Sequence, residues 1–123
     1  MKKFDLAGTL MYRDTELASF SIKDGVAQEF HLLGSDTDCF PFEMMKYKNG
    51  STLVNALLAR IVPETRQGLM AELRDAGIWG YDIPAILRRQ NASSFDDDFW
   101  VRFSDGPQTW RELLAKIGYT TRP

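Results

Sequence analysis

Three consecutive carboxylates, Asp96-Asp97-Asp98, are the residues of this 123-residue sequence with the clearest capacity for metal chemistry. Carboxylates two positions apart can share a hard cation such as Mg²⁺, with water or phosphate completing the shell. On a strand, however, Asp96 and Asp98 point to one face and Asp97 to the other. The run also lacks the spaced ligands and the glycine of an EF-hand loop. The pattern therefore favours a loop-to-strand junction with one aspartate paired internally, and a metal pair of Asp96 and Asp98 is the alternative.

Two arginines, Arg60 and Arg66, lie on either side of Pro63 at a predicted break between helices. Free N–H groups at a helix start and a forked guanidinium form an anion site where they converge. The same arginines can instead clamp a carboxylate of the domain itself, and Asp97 is the obvious candidate. We favour the internal clamp, although the sequence leaves open whether the anion is external or internal.

The remaining chemically active residues are few, since His31 is the only histidine and Cys39 the only cysteine. A single histidine without a surrounding signature is more often structural, and Cys39 beside Phe40 is predicted to be buried. Zinc-hydrolase and thiol-protease constellations therefore lack their residues. The sequence also contains no P-loop, G-x-G-x-x-G or G-x-S-x-G spacing. We predict no catalytic residue, no cofactor and no intrinsic hydrolase or phosphotransferase activity.

Composition narrows the class of protein further. Hydrophobic residues make up 44% of the chain and charged residues 26%, as in ordinary globular domains. A net charge of −2 disfavours nucleic-acid binding, for which Arg74, Arg88 and Arg89 are the best candidates. Neither a signal peptide nor an 18-residue apolar stretch is present. We expect a cytoplasmic protein whose residues 1–123 form one domain without a membrane partner.

The elements that must position these side chains begin with strands. Apolar and polar residues alternate over Phe4–Tyr12, Leu17–Ile22 and Val26–Leu33, and Asp24-Gly25 is a hairpin signal. These segments predict a three-stranded antiparallel meander. A further alternation over Phe99–Phe103 predicts a late strand that returns to the sheet.

Helices fill the rest of the chain. Ser51 is the predicted N-cap of a helix that runs to Ile61, and a second helix is predicted over Glu64–Ala76 with Met70 on its buried face. Asp82 caps a short third helix, and Thr109-Trp110-Arg111-Glu112 is a capping box for the last. Pro41–Tyr47 fits either a short helix or an extended edge. The predicted fold class is α+β, with the meander, four to five short helices and the late strand.

The aromatic residues are predicted to serve packing. Trp100 lies in the alternating late strand and Trp110 at the foot of an amphipathic helix, so both are assigned to the core. Trp79 and Tyr81, which flank Gly80, are predicted to pack in a buried loop rather than to form a stacking platform.

Two blocks of the chain, Arg60 to Arg66 and Ser94 to Val101, resemble the segment that precedes the kinase domain in some bacterial HipA-like proteins. In those proteins the blocks read approximately R-x-x-P-x-x-R and S-L-T-D-x-Y-W-I. A following W-x-x-V/L element is matched by Trp110-Arg111-Glu112-Leu113. Phe95, Asp96 and Phe99 depart from the pattern. The matched positions are Arg60, Pro63, Arg66, Asp97 and Trp100.

The resemblance implies an accessory or regulatory module of a bacterial or mobile-element protein, with Arg60, Arg66, Asp97 and Trp100 as binding residues. Phosphotransfer does not carry over, because the sequence has no candidates for the catalytic and metal-binding residues of a kinase lobe. The leading hypothesis is a non-catalytic protein-interaction or regulatory module whose partner is another protein. The alternative is a metal-dependent phosphate-handling enzyme that uses Asp96, Asp98 and Arg66. The oligomeric state is left open.

Overall fold

Three consecutive strands from the N-terminal part of the chain form most of the sheet, as the alternation predicts. In the computed structural model, which describes residues 3–34, 39–61, 67–94 and 97–118, they are β1 (Leu6–Tyr12), β2 (Thr15–Lys23) and β3 (Val26–Leu32). Each pairs antiparallel with the next. The β2–β3 turn places Asp24 at φ 54° and Gly25 at φ 79°, the left-handed values that tight hairpin turns require.

The late strand, β4 (Phe99–Arg102), pairs antiparallel with β1 and completes a sheet of order β3-β2-β1-β4. Its other side is closed by Asn91, a residue that is only 1% exposed. The Val101 amide donates to the Asn91 carbonyl at 2.8 Å, and the Asn91 side-chain amide donates to the Val101 carbonyl at 3.0 Å. Both backbone groups of Val101 on that side are therefore satisfied by one residue.

Within the described residues, four α-helices follow the meander in chain order. They are α1 (Gly50–Leu58), α2 (Leu69–Asp75), α3 (Ile83–Arg89) and α4 (Trp110–Ile117), and a 3₁₀ turn spans Phe42–Met44. The predicted α+β class is confirmed. The predicted caps at Asp82 and Thr109 are also confirmed, since each side chain accepts a backbone N–H of its helix.

The start of α1 differs from the sequence prediction. Helix α1 is capped by Asn49 rather than by Ser51, because Asn49 and Thr52 form a reciprocal capping box that starts two residues earlier. Helix α2 spans Leu69–Asp75, and the predicted start at Glu64 lies outside the described residues. Gly68, immediately before α2, has φ 80°, which ends helical geometry at that point.

The sheet buries apolar side chains on both faces. The main core lies under α1, α3 and the 3₁₀ turn, and its largest fully buried members include Leu10, Met44, Leu53, Leu57, Leu87 and Val101. A smaller cluster of Met11, Trp100 and Leu113 is covered by α4, with Trp110 half-buried beside it. The core assignment of Trp100 is thus confirmed.

Three other packing predictions were wrong. Trp79 is 77% exposed, because Ile78 before it takes the buried position of the loop. Met70 is 42% exposed, because the short α2 buries only Leu69 and Leu73, one turn apart. Cys39 is only partly buried. Among the described residues, none of the helices has the length and apolarity needed to span a bilayer.

Candidate functional site

The sequence predicts that Arg60 or Arg66 pairs with Asp97, and in the structure Arg60 makes this ion pair with a forked geometry. Arg60 Nη1 lies 3.0 Å from Asp97 Oδ2 and Nη2 lies 2.6 Å from Oδ1. The Arg60 side chain is 9% exposed and the Asp97 side chain 32%. Two parallel charge-assisted hydrogen bonds fix both the distance and the plane of the two groups.

Two backbone carbonyls complete the surroundings of the guanidinium. Nε of Arg60 donates to the carbonyl of Ala92, and Nη2 donates to that of Phe99 at 3.1 Å. Asp97 Oδ1 also accepts the Phe99 amide at 3.1 Å, as in an Asx-turn. We call Arg60 and Asp97, with these bonds, the clamp. It ties the end of α1 to the start of β4.

Asp98, the neighbouring aspartate, pairs with a different arginine, Arg13. Asp98 Oδ2 accepts a hydrogen bond from Nε of Arg13 at 2.9 Å, and it lies 2.9 Å from Nη2 of the same arginine. The hydrogen bond and the negative charge of Asp98 raise the pKa of Arg13 above its ordinary value. The indole N–H of Trp100 donates to the Arg13 carbonyl at 2.7 Å. Asp97 and Asp98 are therefore each engaged by an arginine from a different part of the fold.

This arrangement bears on the alternative metal site. Asp96 and Arg66 lie outside the described residues, and the third member of the set, Asp98, is held by Arg13. Within the part of the chain that is described, no group of three or more His, Cys, Asp or Glu side chains is placed to hold a metal ion. The geometry brings Arg60 and Asp97 together but does not join Asp98 to them.

The other sequence candidates are dispersed. Trp100 is fully buried, so it supports β4 from within the core rather than presenting a face to a ligand. The His31 side chain is 66% exposed on β3, 3.7 Å from Glu29. Arg88 pairs with Asp105 at 3.1 Å and lies 4.3 Å from the Phe103 ring centre.

The candidate nucleic-acid patch is likewise offset by acidic neighbours. Arg89 lies 4.0 Å from Glu72, and Arg88 is paired as described above. Two of the three arginines of the candidate patch therefore have a carboxylate within 4.0 Å.

A groove of about 440 Å³ runs beside the clamp. It is lined by Pro41, Phe42, Glu43, Ala59, Arg60, Ser94, Asp97 and Phe99. Phe42 is 88% exposed, and Met45 and Tyr47 follow it at 47% and 60%. We call Phe42, Met45 and Tyr47 the Phe42 surface.

Sequence reasoning missed the Phe42 surface, because the periodicity of residues 41–47 did not separate a helix from an extended edge. A signal was present, since four large apolar side chains, Phe42, Met44, Met45 and Tyr47, occur within six residues. A single 3₁₀ turn can bury only one of them, and it buries Met44.

Comparison with known proteins adds no relative: no family model, curated protein or solved structure matches this chain.

Proposed function

We propose that this chain is a non-catalytic protein-interaction or regulatory module of the cytoplasm, and that it binds another protein through the Phe42 surface. The observation that carries the proposal is the 88% exposure of Phe42 between two buried neighbours, Pro41 and Met44. The fold anchors this segment and yet leaves its largest side chain in water. Phe42, Met45 and Tyr47 are all exposed and lie within six residues of the chain. Exposed apolar patches are typical of interaction sites.

Charge around the Phe42 surface favours a partner with acidic residues beside an apolar anchor. Lys46 and Lys48 flank Tyr47, and Glu43 is the only acidic residue between positions 42 and 48. Lys46 Nζ lies 5.5 Å from the Tyr47 ring centre, so cation and aromatic face the same solvent region. An apolar centre with a charged rim matches the usual anatomy of a protein interface.

The clamp lines the same groove as Phe42, and its hydrogen bonds hold its side chains in place. All three nitrogens of the Arg60 guanidinium already donate to protein oxygens. The groove can therefore recognise a partner by shape and apolar contact, without breaking the ion pair to capture an anion. Rigid binding surfaces lose less conformational entropy on association than mobile ones do.

The resemblance to the segment that precedes the kinase domain of bacterial HipA-like proteins supports a regulatory role. Its two motif blocks contribute Arg60 and Asp97, the residues that meet in the clamp. On this view the matched residues preserve the frame of the module, and the exposed side chains beside the frame select the partner. We further propose that this module belongs to a bacterial or mobile-element protein.

The test uses a photo-crosslinking amino acid, benzoylphenylalanine, in place of Phe42 in the source cells. The matched control carries the same group at Trp79, which is also a highly exposed aromatic residue. We expect one discrete protein adduct from position 42 that is absent from position 79. Equal adduct patterns at the two positions would contradict a specific site.

The partner protein identified by crosslinking is then purified by itself, and its binding to this chain is measured by calorimetry. Phe42→Ala should weaken it by about tenfold or more, as aromatic anchors do, with an unchanged unfolding midpoint. Trp79→Ala should bind as the parent does. Unchanged affinity in the Phe42 variant would refute the proposed surface.

A further inference from the structure

The outer edge of β3 has backbone groups that point away from the sheet. The Leu33 amide donates to the Leu17 carbonyl at 3.0 Å, and antiparallel pairs alternate between bonded and non-bonded. His31 and Glu29, opposite Ser19 and Ser21, are therefore also directed toward β2. Phe30, between them, directs its N–H and C=O outward. Within the described ranges, no strand pairs with this edge.

The outward backbone groups at the two edges of the sheet have different surroundings. At β4 the outward groups of Val101 are satisfied by Asn91. At β3, by contrast, Leu32 and Leu33 are 47% and 48% exposed. The stretch from Gln28 to Leu33 contains neither the lysine nor the proline by which edge strands are commonly protected.

We propose that this edge binds a second copy of the same chain, with the two β3 strands antiparallel about a twofold axis at Phe30. The Phe30 residues of the two copies would then exchange both backbone hydrogen bonds. Each Glu29 would lie opposite His31 of the second copy, and the twofold axis generates this pair twice. The contact is isologous, so it closes as a dimer and does not propagate.

Charge complementarity selects this register and this occupant. Residues next to a bonded pair form a non-bonded pair, with Cα atoms about 4.5 Å apart and side chains in contact. The Glu29 and His31 side chains are 68% and 66% exposed, so both are accessible. An imidazole can donate a hydrogen bond to a carboxylate whether or not it is protonated. Centring on Glu29 or on His31 instead would place two carboxylates, or two imidazoles, opposite each other.

Two charge variants test the register without depending on the protonation of histidine. His31→Glu makes both positions acidic, and the double variant Glu29→Lys/His31→Lys makes both basic. Each homodimer then contains repelling cross-strand pairs, whereas the heterodimer that forms when the two variants are mixed contains only Lys–Glu pairs. Ala115→Glu, at an exposed position of α4, is the matched control for added charge.

Sedimentation equilibrium of the full chain should show a monomer–dimer equilibrium for the parent and for Ala115→Glu. We expect the dimer dissociation constant to rise about tenfold or more in each charge variant, and the mixture to regain the dimer. Amide exchange of Phe30 should slow as parent concentration rises. A parent that stays monomeric, or a dimer that none of the charge variants alters, would overturn the proposal. Neither result bears on the Phe42 surface.

Discussion

Arg60 and Asp97, 37 residues apart in the chain, are joined by two hydrogen bonds between guanidinium and carboxylate. The pair connects a residue just after α1 with a residue just before β4. Since Arg60 also binds two backbone carbonyls, its side chain replaces hydrogen bonds that the irregular loop cannot make with itself.

Removal of Arg60 should therefore be costly. We expect Arg60→Ala to lower the free energy of unfolding by about 3 kcal/mol, because it removes the guanidinium donor from a part-buried carboxylate and from two backbone carbonyls. Denaturant titration measures the change. Asp105→Asn, in an exposed pair with Arg88, should cost less than about 1 kcal/mol. Similar losses in both variants would mean that the clamp contributes no more than a surface pair.

The three tryptophans should differ sharply in acrylamide quenching. Trp79 is 77% exposed and Trp100 is fully buried, so Trp79→Phe should remove most of the quenchable emission. Trp100→Phe should cost about 1 to 3 kcal/mol, because the Arg13 carbonyl loses the indole donor. Quenching that is unaffected by Trp79→Phe would contradict the assignment of the exposed tryptophan.

The capping box at the start of α1 should also contribute measurably to stability. Asn49→Ala should destabilise the protein by about 1 kcal/mol, because the Thr52 amide loses its acceptor. Ser51→Ala is the neighbouring control and should change the free energy of unfolding by less than about 0.5 kcal/mol. The reverse order of the two effects would restore Ser51 as the cap.

Gly50, the first residue of α1, should resist substitution although it lies in a helix. A Cβ added there would lie 2.6 Å from the Cβ of Ala27 on β3, which has no flexible end that could move aside. We expect overpacking in Gly50→Ala to destabilise the protein by about 1 to 3 kcal/mol. The higher helix propensity of alanine offsets this loss by at most about 1 kcal/mol. A more stable variant in thermal denaturation would contradict this close packing.

Lys116 should make stability depend on pH in the alkaline range. Its ammonium donates to Asn91 Oδ1 at 2.6 Å and to the Arg88 carbonyl at 3.0 Å, and burial lowers its pKa below the ordinary 10.5. Since the unfolded chain then binds the proton more tightly, the contribution of Lys116 to stability rises as pH increases through the window just below 10.5.

The difference in unfolding free energy between the parent and Lys116→Met, followed by denaturant titration from about pH 8 to about pH 10.5, isolates this effect. We expect the parent to gain relative to the variant as pH rises. Parallel curves would show that the lysine titrates alike in the folded and unfolded chains.

The sequence by itself determined the elements whose signals are local. The Asp24-Gly25 turn, the caps at Asp82 and Thr109, and the alternation of β1, β2 and β4 depend on neighbouring residues, and the structure contains all of them. A pair between Asp97 and one of the two arginines was also predictable, because a part-buried carboxylate requires a charged or hydrogen-bonding partner. The structure shows that Arg60 is that partner.

Among the described residues, only the tertiary structure decided which side chains remain in water and which strand edges have no neighbouring strand. Whether Met44 or Phe42 turns inward depends on how the 3₁₀ turn meets α1, and whether Asn91 or a strand closes β4 depends on the loop after α3. Local sequence contains neither fact, since burial is set by neighbours distant in the chain. The Phe42 surface and the open edge of β3 therefore emerge from packing, whereas the strands and caps that position them follow from local preferences.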